Sequence, residues 1–538
     1  MEPGREQELR VKPDQLRRPP AVELPASTEA VKPLTTIAGQ TRAQDALEFG
    51  LRMRVEGYNI AVPGAPASGR GMIIHHLVDR AAAQMESPPD WLYLHDFADP
   101  RRPRAVAVEA GKAEKLQKGL ASVVESCRDE LPKALDSDNY STRRDQVLEP
   151  FGEARQAVME ELDRKARSRG IGLNATSMGL VPVALTEDGQ PLTADAFNAL
   201  PEEQRDRITA ELNRSQEDVQ AALRDVRKID LDARTALEDL DREITDFVVG
   251  PALDELSGEF PEPRIQEHLR SVRDDIRANL ASYRRFAESQ THQIPPQMLA
   301  QALEEREMLL RRYRANVFVS QTGREGGGAP VVDERHHGYR NLFGWIDYEN
   351  RFGSMVTDFT RIHPGAVHRA NGGFLILQIQ DLLSDGRAWL KLKRTLHSHE
   401  AGFDDPADLG LPFPVAGLQP EGVPVDLKVI LVGTGAIFAM LAAVDPEFDE
   451  LFRVRAEFEP DVPADRDNTL SYVAFVRRTA DEHSLRQFDA GALEEILHHS
   501  ARLAGRQDRL SARYGLIADL CHESNEVAGR DGADLVSA

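Results

Sequence analysis

A short apolar strand, a glycine-rich loop and an apolar-periodic helix follow one another near the start of the chain. The strand runs from Asn59 to Val62, and a loop of glycine, proline and serine occupies Gly64 to Gly71. This order is typical of phosphate-binding α/β folds, in which the loop leads into the amino end of a helix. The sequence therefore predicts an α/β core built around this unit.

Apolar runs elsewhere supply the other elements of such a core. A helix is predicted from Gln40 to Arg54, and strands are predicted at 91–94, 317–319, 373–377 and 427–432. The last two consist mainly of apolar residues, which favours buried strands. From about Asn468 onward the chain is helical again. The predicted fold class is α/β, a P-loop core with a parallel sheet, a large inserted helical coiled-coil domain and a C-terminal helical lid.

Changes of composition along the chain indicate five segments. Residues 1–35, rich in proline and charge, are predicted as an N-terminal arm. The α/β core occupies 36–110 and resumes over 315–467. A helical insertion with a small hairpin lies at 111–314, and the helical lid occupies 468–538.

The insertion carries a heptad repeat of apolar residues, which predicts a coiled-coil seam. One row comprises Leu212, Val219, Val226, Ala233, Leu240 and Phe247, and a companion row comprises Ile208, Ile229, Leu237 and Ile244. Similar stripes at 147–162 and 265–280 could pack against this seam, and a small hairpin is predicted between Gly170 and Thr193. Two interpretations stay open, a helical spacer or an arm that handles a substrate.

The glycine loop keeps the glycines of a phosphate-binding loop and lacks its two functional side chains. A working loop reads G-x-x-x-x-G-K-S/T, and the matching line here runs from Gly64 through Gly69 to Arg70 and Gly71. The glycine spacing allows an anion-binding backbone nest. However, a planar guanidinium does not replace a point-charge ammonium, and glycine offers no oxygen to magnesium. An unrelated glycine turn is the alternative interpretation.

The strand at 374–377 should supply the second half of such a site. In working enzymes this strand ends in Asp-Glu, where the aspartate acts on magnesium and the glutamate orients the attacking water. Here it leads into Gln378 and Ile379, an amide and an alkyl chain, and Asp381 lies out of register. We therefore expect no ATP hydrolysis and no cofactor, including Mg-ATP. A live ATPase that uses displaced residues such as Asp381 is a competing option.

Charge and cysteine content exclude some partners. The net charge is −23, from 66 basic and 89 acidic side chains, and an acidic surface repels the backbone of nucleic acids. The two cysteines, Cys127 and Cys521, are too few for a disulfide framework or a metal box. No apolar run approaches the ~20 residues that span a bilayer, and the first residues are too polar for a signal peptide. We expect a cytoplasmic protein with neither a membrane nor a nucleic-acid partner.

Longer blocks of the chain resemble one family. They are Gly39-Gln40, Asn59 to Gly64, Asp96 to Pro103, Asn341 to Gly344, Thr357 to Thr360, His363 to Gly373, and Asp445 to Phe452. Together they are similar to bacterial Lon-like proteases of the LonB/LonC type over nearly the whole chain, and His363 to Gly373 is the most specific block. The resemblance implies a hexameric ring of AAA-type modules that feeds unfolded or damaged protein to a fused serine protease with a Ser-Lys dyad.

The same resemblance implies roles for residues on both sides of the insertion. Leu342, Phe343 and Trp345 match the axial pore loop that grips substrate in the family. Gly39 and Gln40 match the contact beside the adenine. A competing interpretation places the three apolar residues in the hydrophobic core.

Three arginines match family positions that serve the nucleotide. Arg453 or Arg455 matches the finger that reaches the neighbouring subunit, and Arg513 matches the sensor of the lid. Surface salt bridges are the alternative explanation of Arg453 and Arg455. The complete remnant of a nucleotide site would then comprise Gly39, Gln40, Gly64, Gly69, Arg70, Gly71, Gln378, Ile379 and Arg513.

Other reactive side chains are predicted to be structural. The adjacent pairs His336-His337 and His498-His499 sit in no recognisable metal-site motif, so we expect solvated loop or helix histidines. Cys521 is predicted to be buried in the lid. No metal site is expected and no catalytic residue is assigned.

Two departures from the family pattern shape the functional hypothesis. The eroded nucleotide motifs resemble the LonC branch, in which ATP is not required. We find no serine–lysine motif of the Lon type, so we expect this polypeptide not to cleave peptides by itself. The favoured hypothesis is the substrate-engaging, ring-forming AAA part of a Lon-like protease, acting without ATP turnover. The alternative is a non-enzymatic holdase or scaffold that uses the coiled-coil insertion.

Overall fold

The computed structural model describes residues 20–34, 39–176, 179–186, 189–283, 285, 296–351, 354–404 and 417–538. Most of the predicted arm at 1–35 lies outside these residues. The chain divides into two units, of which the first comprises the residues up to Lys115 and from Asn316 onward. The second unit is Leu116–Ala315.

The strands of the described chain are short, and most belong to the first unit. They are β1 (Ile60–Pro63), β2 (Asp90–Leu94), β3 (Arg104–Val108), β4 (Ile171–Thr176), β5 (Gly179–Ala184), β6 (Ala315–Val319), β7 (Val331–Asp333), β8 (Trp345–Ile346), β9 (Glu349–Arg351), β10 (Ser354–Val356), β11 (Ile362–His363), β12 (Phe374–Gln378), β13 (Glu400–Ala401), β14 (Val423–Pro424), β15 (Lys428–Gly433), β16 (Val454–Arg455), β17 (Asp461–Pro463) and β18 (Arg509–Ser511).

The helices range from a single turn to a very long element in the insertion. They are α1 (Thr41–Arg52), α2 (Arg70–Ala82), α3 (Ala113–Glu125), α4 (Leu131–Leu135), α5 (Asp138–Ser168), α6 (Ala194–Asn198), α7 (Glu202–Glu259), α8 (Pro263–Ala278), α9 (Pro296–Arg311), α10 (Tyr339–Phe343), α11 (Ala366–Arg369), α12 (Ile379–Ser384), α13 (Gly386–Ser398), α14 (Gly435–Val444), α15 (Glu447–Leu451), α16 (Arg466–Glu482), α17 (Ala490–Ala504) and α18 (Tyr514–Arg530). None of these described helices combines the length and apolarity that crossing a bilayer requires.

A five-stranded parallel sheet forms the centre of the first unit, in the order β16-β1-β15-β12-β7. Ile430 of β15 lies opposite Ile60 of β1 on one side and Ile376 of β12 on the other. Every residue of β15 is buried, because helices cover both faces of a parallel sheet. The predicted α/β class and the strands predicted at 373–377 and 427–432 are confirmed.

The strands predicted at 91–94 and 317–319 are also present, but they lie outside the parallel sheet. They correspond to β2 and β6 of a separate three-stranded sheet with the order β3-β2-β6. The short connection between β2 and β3 allows an antiparallel pair, whereas parallel neighbours need a long crossover. The rings of Tyr93 and Phe318 pack edge to face in this sheet, with their centroids 4.9 Å apart.

Alternate residues of the central strands face two separate hydrophobic clusters. Phe374 and Ile376 belong to a cluster with α1, α2 and the lid helices. Leu375 and Leu377 belong to a second cluster with α10, α12 and α13. This division follows from the two-residue period of a strand, and it holds the carboxyl ends of β1, β12 and β15 at one edge of the sheet.

The lid consists of α16, α17 and α18 with the small β17–β18 pair, so the predicted helical end of the chain is confirmed. Cys521 is fully buried there, as predicted. The described part of the N-terminal arm contacts the lid. The Thr28 backbone N–H donates to the carbonyl oxygen of Phe488 at 2.9 Å. Leu24 and Val31 pack against the cluster that includes the lid.

In the second unit, α5 packs along α7, and the predicted small hairpin is confirmed as β4 paired with β5. Leu162 of α5 and Val219 of α7 share a small apolar cluster against which Leu180 of the hairpin packs. The apolar stripe predicted at 265–280 is confirmed as the buried face of α8.

The heptad row on α7 does not continue to its predicted end. Val219, Val226 and Leu240 are buried, but the Phe247 side chain is 81% exposed. After Leu240 the buried positions move to Thr245 and Val249. A straight α-helix has 3.6 residues per turn and drifts by ~20° per heptad against a strict repeat of seven, so one row cannot stay on the packed side along the whole helix.

Candidate functional site

The glycine loop lies at the carboxyl edge of the parallel sheet, between the end of β1 and the start of α2. Ligands of open α/β sheets bind at this edge. Gly69 adopts a left-handed backbone (φ 70°), and so does the non-glycine residue Ala67 (φ 61°). The strand–loop–helix order predicted from the sequence is therefore present, with the two-glycine line in the place of a phosphate-binding loop.

The side chain of Arg70 is bound to the loop that carries it. Its Nη1 donates to the carbonyl oxygen of Gly64 at 2.6 Å and to that of Gly433 at 2.6 Å. Burial lowers the pKa of the guanidinium below its usual value, because desolvation disfavours the charged form. Arg70 thus links the loop to the carboxyl end of β15, and both hydrogens on Nη1 are used by backbone carbonyls.

Gly433 is a functional neighbour that the sequence reasoning missed. It is the last residue of β15, and only its position at the sheet edge, beside the end of β1, brings its carbonyl to Arg70. The sequence offered one signal for this contact. The strand predicted at 427–432 was expected to be buried, and its carboxyl end could therefore lie beside the glycine loop.

Gly71 stands in open space. Apart from its chain neighbours and the backbone of its own helix, no heavy atom lies within 4 Å of the position that a Cβ would take there. The hydroxyl is therefore missing because the residue is glycine, and not because packing excludes a side chain. A serine or threonine would fit at this position without displacing a neighbour.

The two positions after the buried strand are filled in different ways. Gln378 ends β12, and its backbone N–H donates to Nε2 of His337 at 2.8 Å. Ile379 is fully buried, and its Cγ2 would lie 2.2 Å from a Cβ added to Gly433. The place of a water-orienting glutamate is occupied by an alkyl chain that belongs to the hydrophobic core.

His337 is buried, in contrast to the solvated histidine that was predicted. It is 4% exposed, and its Nδ1 lies 3.7 Å from Oδ2 of Asp381. Burial lowers its pKa, and Nε2 accepts the Gln378 N–H, so the ring is neutral. His337 and Gln378 are far apart in sequence, and no spacing signal could have joined them. The described residues contain no group of three or more potential metal ligands.

Gly39 and Gln40 connect the start of the core to the segment after β16. The Gln40 amide is buried, and its Nε2 donates to the carbonyl of Glu459 at 2.9 Å while its Oε1 accepts the Glu459 N–H at 3.0 Å. A Cβ on Gly39 (φ 81°) would lie 2.7 Å from Val462 Cγ1. Both hydrogen bonds of the amide to the backbone are structural in this chain.

Arg513 lies immediately before α18 and is exposed. Its guanidinium has no hydrogen-bond or ion-pair partner within the described part of the chain. Two residues later, the Gly515 backbone N–H donates to the carbonyl of Ala67 at 2.9 Å. The lid helix therefore begins against the glycine loop, with the free arginine close to that contact in sequence.

Arg453 immediately precedes the edge strand β16 and Arg455 ends it. Both side chains are exposed. The Arg453 guanidinium lies 5.7 Å from the ring centroid of Tyr58. Arg455 Nη2 lies 2.7 Å from Oδ1 of Asp449. The salt bridge foreseen as an alternative is therefore present for Arg455, and Arg453 makes a cation–π contact.

Leu342 and Phe343 are core residues, which corrects their assignment to a substrate-gripping loop. They are 0% and 1% exposed and belong to the cluster beneath the parallel sheet. Buried side chains cannot reach a polypeptide outside the protein. Trp345 is half-buried, stacked on His363 with ring centroids 5.0 Å apart, and it alone of the three keeps part of its ring accessible.

A hairpin formed by β9 and β10 follows Trp345 and was not predicted. Ser354 pairs with Arg351, and Val356 pairs with Glu349. Met355 and Val356 expose 45% and 37% of their surface. The apolar pair Met355-Val356 is too short to predict a strand, and nothing in the sequence showed that these two side chains face outward.

Comparisons with known proteins identify the same family that the sequence resembles. Residues 327–459 match the LonB-like AAA domain, 487–538 match the AAA+ ATPase lid domain of archaeal LonB, and 90–123 match the helical domain of Lon-like LonC. The resemblance to the AAA portion of Lon-like proteases is confirmed.

Curated relatives point the same way. A putative Lon protease homolog of Escherichia coli K12 is 29% identical over 288 residues, which cover 49% of this chain and 48% of the relative. An archaeal Lon protease of Archaeoglobus fulgidus is 25% identical over 225 residues, 39% of this chain and 33% of the relative. The aligned part thus spans about half of the first relative and about a third of the second.

Among solved structures, NtrX from Brucella abortus aligns over 53% of this chain and 71% of its own at 17% identity, with a TM-score of 0.27. NtrX in complex with ADP gives a TM-score of 0.26 at 16% identity, over 53% of this chain and 69% of its own. Alignments at these TM-scores add nothing to the fold described above.

Proposed function

We propose that this chain is the substrate-engaging, ring-forming AAA part of a Lon-like protein-degrading assembly, and that it does not hydrolyse ATP. The observation that carries the absence of hydrolysis is the pair of hydrogen bonds from Arg70 to Gly64 and Gly433. They hold the only cation of the glycine-loop motif against the backbone, where a working enzyme would direct a lysine to the phosphates.

Phosphoryl transfer depends almost entirely on positioning and electrostatic stabilisation. The residues here lack the hydroxyl at Gly71, the metal-side carboxylate at Gln378 and the water-orienting carboxylate at Ile379. Ile379 is also packed over Gly433, so an acidic side chain from another segment has no space at that point. These features support the absence of ATP turnover.

Engagement of unfolded protein is supported by exposed apolar side chains after Trp345. Met355 and Val356 lie on a hairpin rather than in the core. Short exposed apolar strands can contact unfolded polypeptide of many sequences, because such contacts are non-directional. We assign the gripping role to this hairpin and Trp345.

Ring formation is supported by the outer side of α14. This helix contains no charged residue over its ten positions, and Met440 and Val444 expose 55% and 77% of their surface. An uncharged exposed helix face is typical of an association surface. Six copies in a ring, with Arg453 or Arg455 reaching the neighbouring copy, would follow the pattern of the family.

The test is a measurement of phosphate release by the purified chain with Mg-ATP, together with calorimetric titration of Mg-ATP. We expect release no faster than the protein-free blank. Sustained turnover that scales with protein concentration would overturn the proposal and would favour an atypical ATPase that uses Asp381. Sedimentation of the same sample measures the oligomeric state. A chain that is monomeric at all concentrations would refute the proposed ring.

A second candidate function is a holdase that uses the helical insertion. Phe247 and Leu231 on α7 expose 81% and 64% of their surface, and both lie outside the core contacts of that helix. Replacing both by serine should abolish binding of an unfolded protein if the insertion carries recognition. If binding is unchanged, the holdase hypothesis is refuted, and the β9–β10 hairpin remains the proposed binding site for unfolded protein.

A further inference from the structure

A cavity of about 320 Å³ lies in the first unit, beside two strands that each end a sheet. Among the described strands, β6 ends the three-stranded sheet and β7 ends the five-stranded one. The apolar part of the lining comes from Phe318, Val319, Pro330, Val332 and Pro364. None of the residues assigned to the nucleotide-site remnant lines this cavity, so it is a separate feature of the fold.

One polar group in the lining has an unused donor. Gln321 is 2% exposed, and its Oε1 accepts a hydrogen bond from Arg324 Nη1 at 3.0 Å. Its backbone N–H donates to Asp90 Oδ1 at 2.6 Å. The Nε2 amide has no hydrogen-bond partner among the residues that the structure describes. The Nε2 atom is not completely buried, so water reaches it, and an acceptor in the cavity would take the place of that water.

The charged residues of the lining are both basic. Arg324 and Arg369 contribute guanidinium groups, and the lining contains no acidic residue, although the chain as a whole carries a net charge of −23. Arg369 Nη2 lies 2.7 Å from Oε2 of Glu334. Among the described residues, the Arg324 guanidinium donates only to the neutral amide of Gln321. A guanidinium has five N–H donors, so both groups retain donors for an anion.

We infer that this cavity binds the C-terminal carboxylate of an extended polypeptide whose last residue is apolar. The carboxylate takes hydrogen bonds from Gln321 Nε2 and the two guanidinium groups, since charge-assisted bonds of this kind are the strong ones. The last side chain packs against the apolar lining, and the preceding backbone lies along the free strand edges of β6 and β7, as in strand addition.

The strand edges decide between two sources of the same chemistry. A small apolar carboxylate would use the guanidinium groups and the apolar floor equally well. Only an extended backbone also offers main-chain partners to the two free edges. The identification of the ligand as a protein end rests on the proposed function, whereas the preference for an apolar carboxylate rests on the lining alone.

Fluorescence anisotropy tests the inference with the full chain and a labelled short peptide that ends in Ala-Val-Leu. The peptide is used with a free carboxylate and as the C-terminal amide. We expect the amide to bind about tenfold more weakly, because it loses charge-assisted hydrogen bonds. Arg324→Gln should weaken the acid form by a similar factor and leave the amide unchanged. Arg506→Gln, an exposed lid arginine paired with Asp508, is the matched control and should change neither.

Several outcomes overturn the inference. Equal binding of acid and amide, no binding of the acid, or an acid affinity that survives Arg324→Gln would each end it, provided that thermal unfolding shows the variants folded. Hexanoate that binds as tightly as the peptide would show a small-molecule site instead of a peptide site. Binding of a carboxymethylated unfolded protein is measured in parallel. If the chain does not bind this protein but still prefers the peptide acid over the amide, the proposed function is refuted and the cavity site is not. If the chain binds the unfolded protein but shows no preference for the peptide acid, the cavity site is refuted and the proposed function is not.

Discussion

The carbonyl oxygen of Ala67 accepts a hydrogen bond from the backbone N–H of Gly515 at 2.9 Å. Ala67 lies in the glycine loop with a left-handed backbone (φ 61°), and Gly515 lies at the start of α18. A Cβ added to Gly515 would lie 2.8 Å from the Cβ of Ala67. The lid therefore contacts the loop through a backbone hydrogen bond, at a point where a side chain on residue 515 has no space.

Gly515→Ala should destabilise the fold by roughly 1–3 kcal/mol, the usual cost of overpacking a close contact. Gly386→Ala is the matched control, because a Cβ at the start of α13 meets no atom within 4 Å. Urea unfolding of both variants measures the difference. Equal stabilities would show that the lid moves away from the loop at little cost.

Arg70→Ala should lower the free energy of unfolding by roughly 2 kcal/mol, since the carbonyls of Gly64 and Gly433 lose a charged donor. Arg455→Ala removes an exposed ion pair with Asp449 and should cost less than about 1 kcal/mol. Denaturant titrations of the two alanine variants decide the matter. A loss for Arg70 no larger than that for Arg455 would contradict the linking role of Arg70.

Arg70→Lys combined with Gly71→Thr and Gln378→Asp should create binding of Mg-ATP. The threonine has open space, and the aspartate restores a carboxylate beside the metal position. Hydrolysis should not return, because Ile379 remains an alkyl chain. Calorimetry detects the binding and phosphate release detects turnover, with Gly71→Thr alone as the control. A triple variant that gives no heat with Mg-ATP would show that the loop cannot hold a triphosphate.

Met355→Ser with Val356→Ser should weaken the binding of a carboxymethylated unfolded protein several-fold and leave stability nearly unchanged, because both side chains are exposed. Phe343→Ala is the contrasting variant and should lower stability by about 3–5 kcal/mol, since it empties a buried aromatic site. Anisotropy and thermal unfolding separate the two effects. Undiminished binding by the double serine variant would remove the gripping role of the hairpin.

Stability should fall in acid partly through His368, which is packed against Phe318 and Phe403. Burial lowers the pKa of His368 to about 4, against ~6.5 in an unfolded chain. As the pH falls, the unfolded chain takes up the proton first. The contribution is therefore complete above pH ~6.5 and decreases toward pH 4, by at most about 1.4 kcal/mol for each pH unit.

His368→Gln keeps an acceptor for the Gly365 N–H that now bonds Nδ1 at 3.2 Å and removes the titration. Melting temperatures measured from pH 7 to pH 4 should fall less steeply for this variant than for the parent chain. Parallel curves would mean that His368 is protonated equally in both states.

Sequence reasoning found those features of the fold that depend on local pattern. The mainly apolar runs predicted as strands at 373–377 and 427–432 are adjacent central strands, because a strand buried on both faces needs apolar side chains in both directions. The heptad pattern located α7, but the register of its buried face departs from that pattern beyond Leu240, where the neighbours of the helix decide which side is covered.

Residue identity in the sequence was sufficient to establish what the glycine loop lacks, since no packing can supply a hydroxyl to Gly71 or a carboxylate to Ile379. Only the tertiary structure decided what the remaining groups do instead. Arg70 meets Gly433, Gln378 meets His337, and Leu342 and Phe343 turn inward. Each of these contacts joins segments that are distant in sequence, and their distances and burial are set by how the sheet and its covering helices pack, which a linear pattern does not contain.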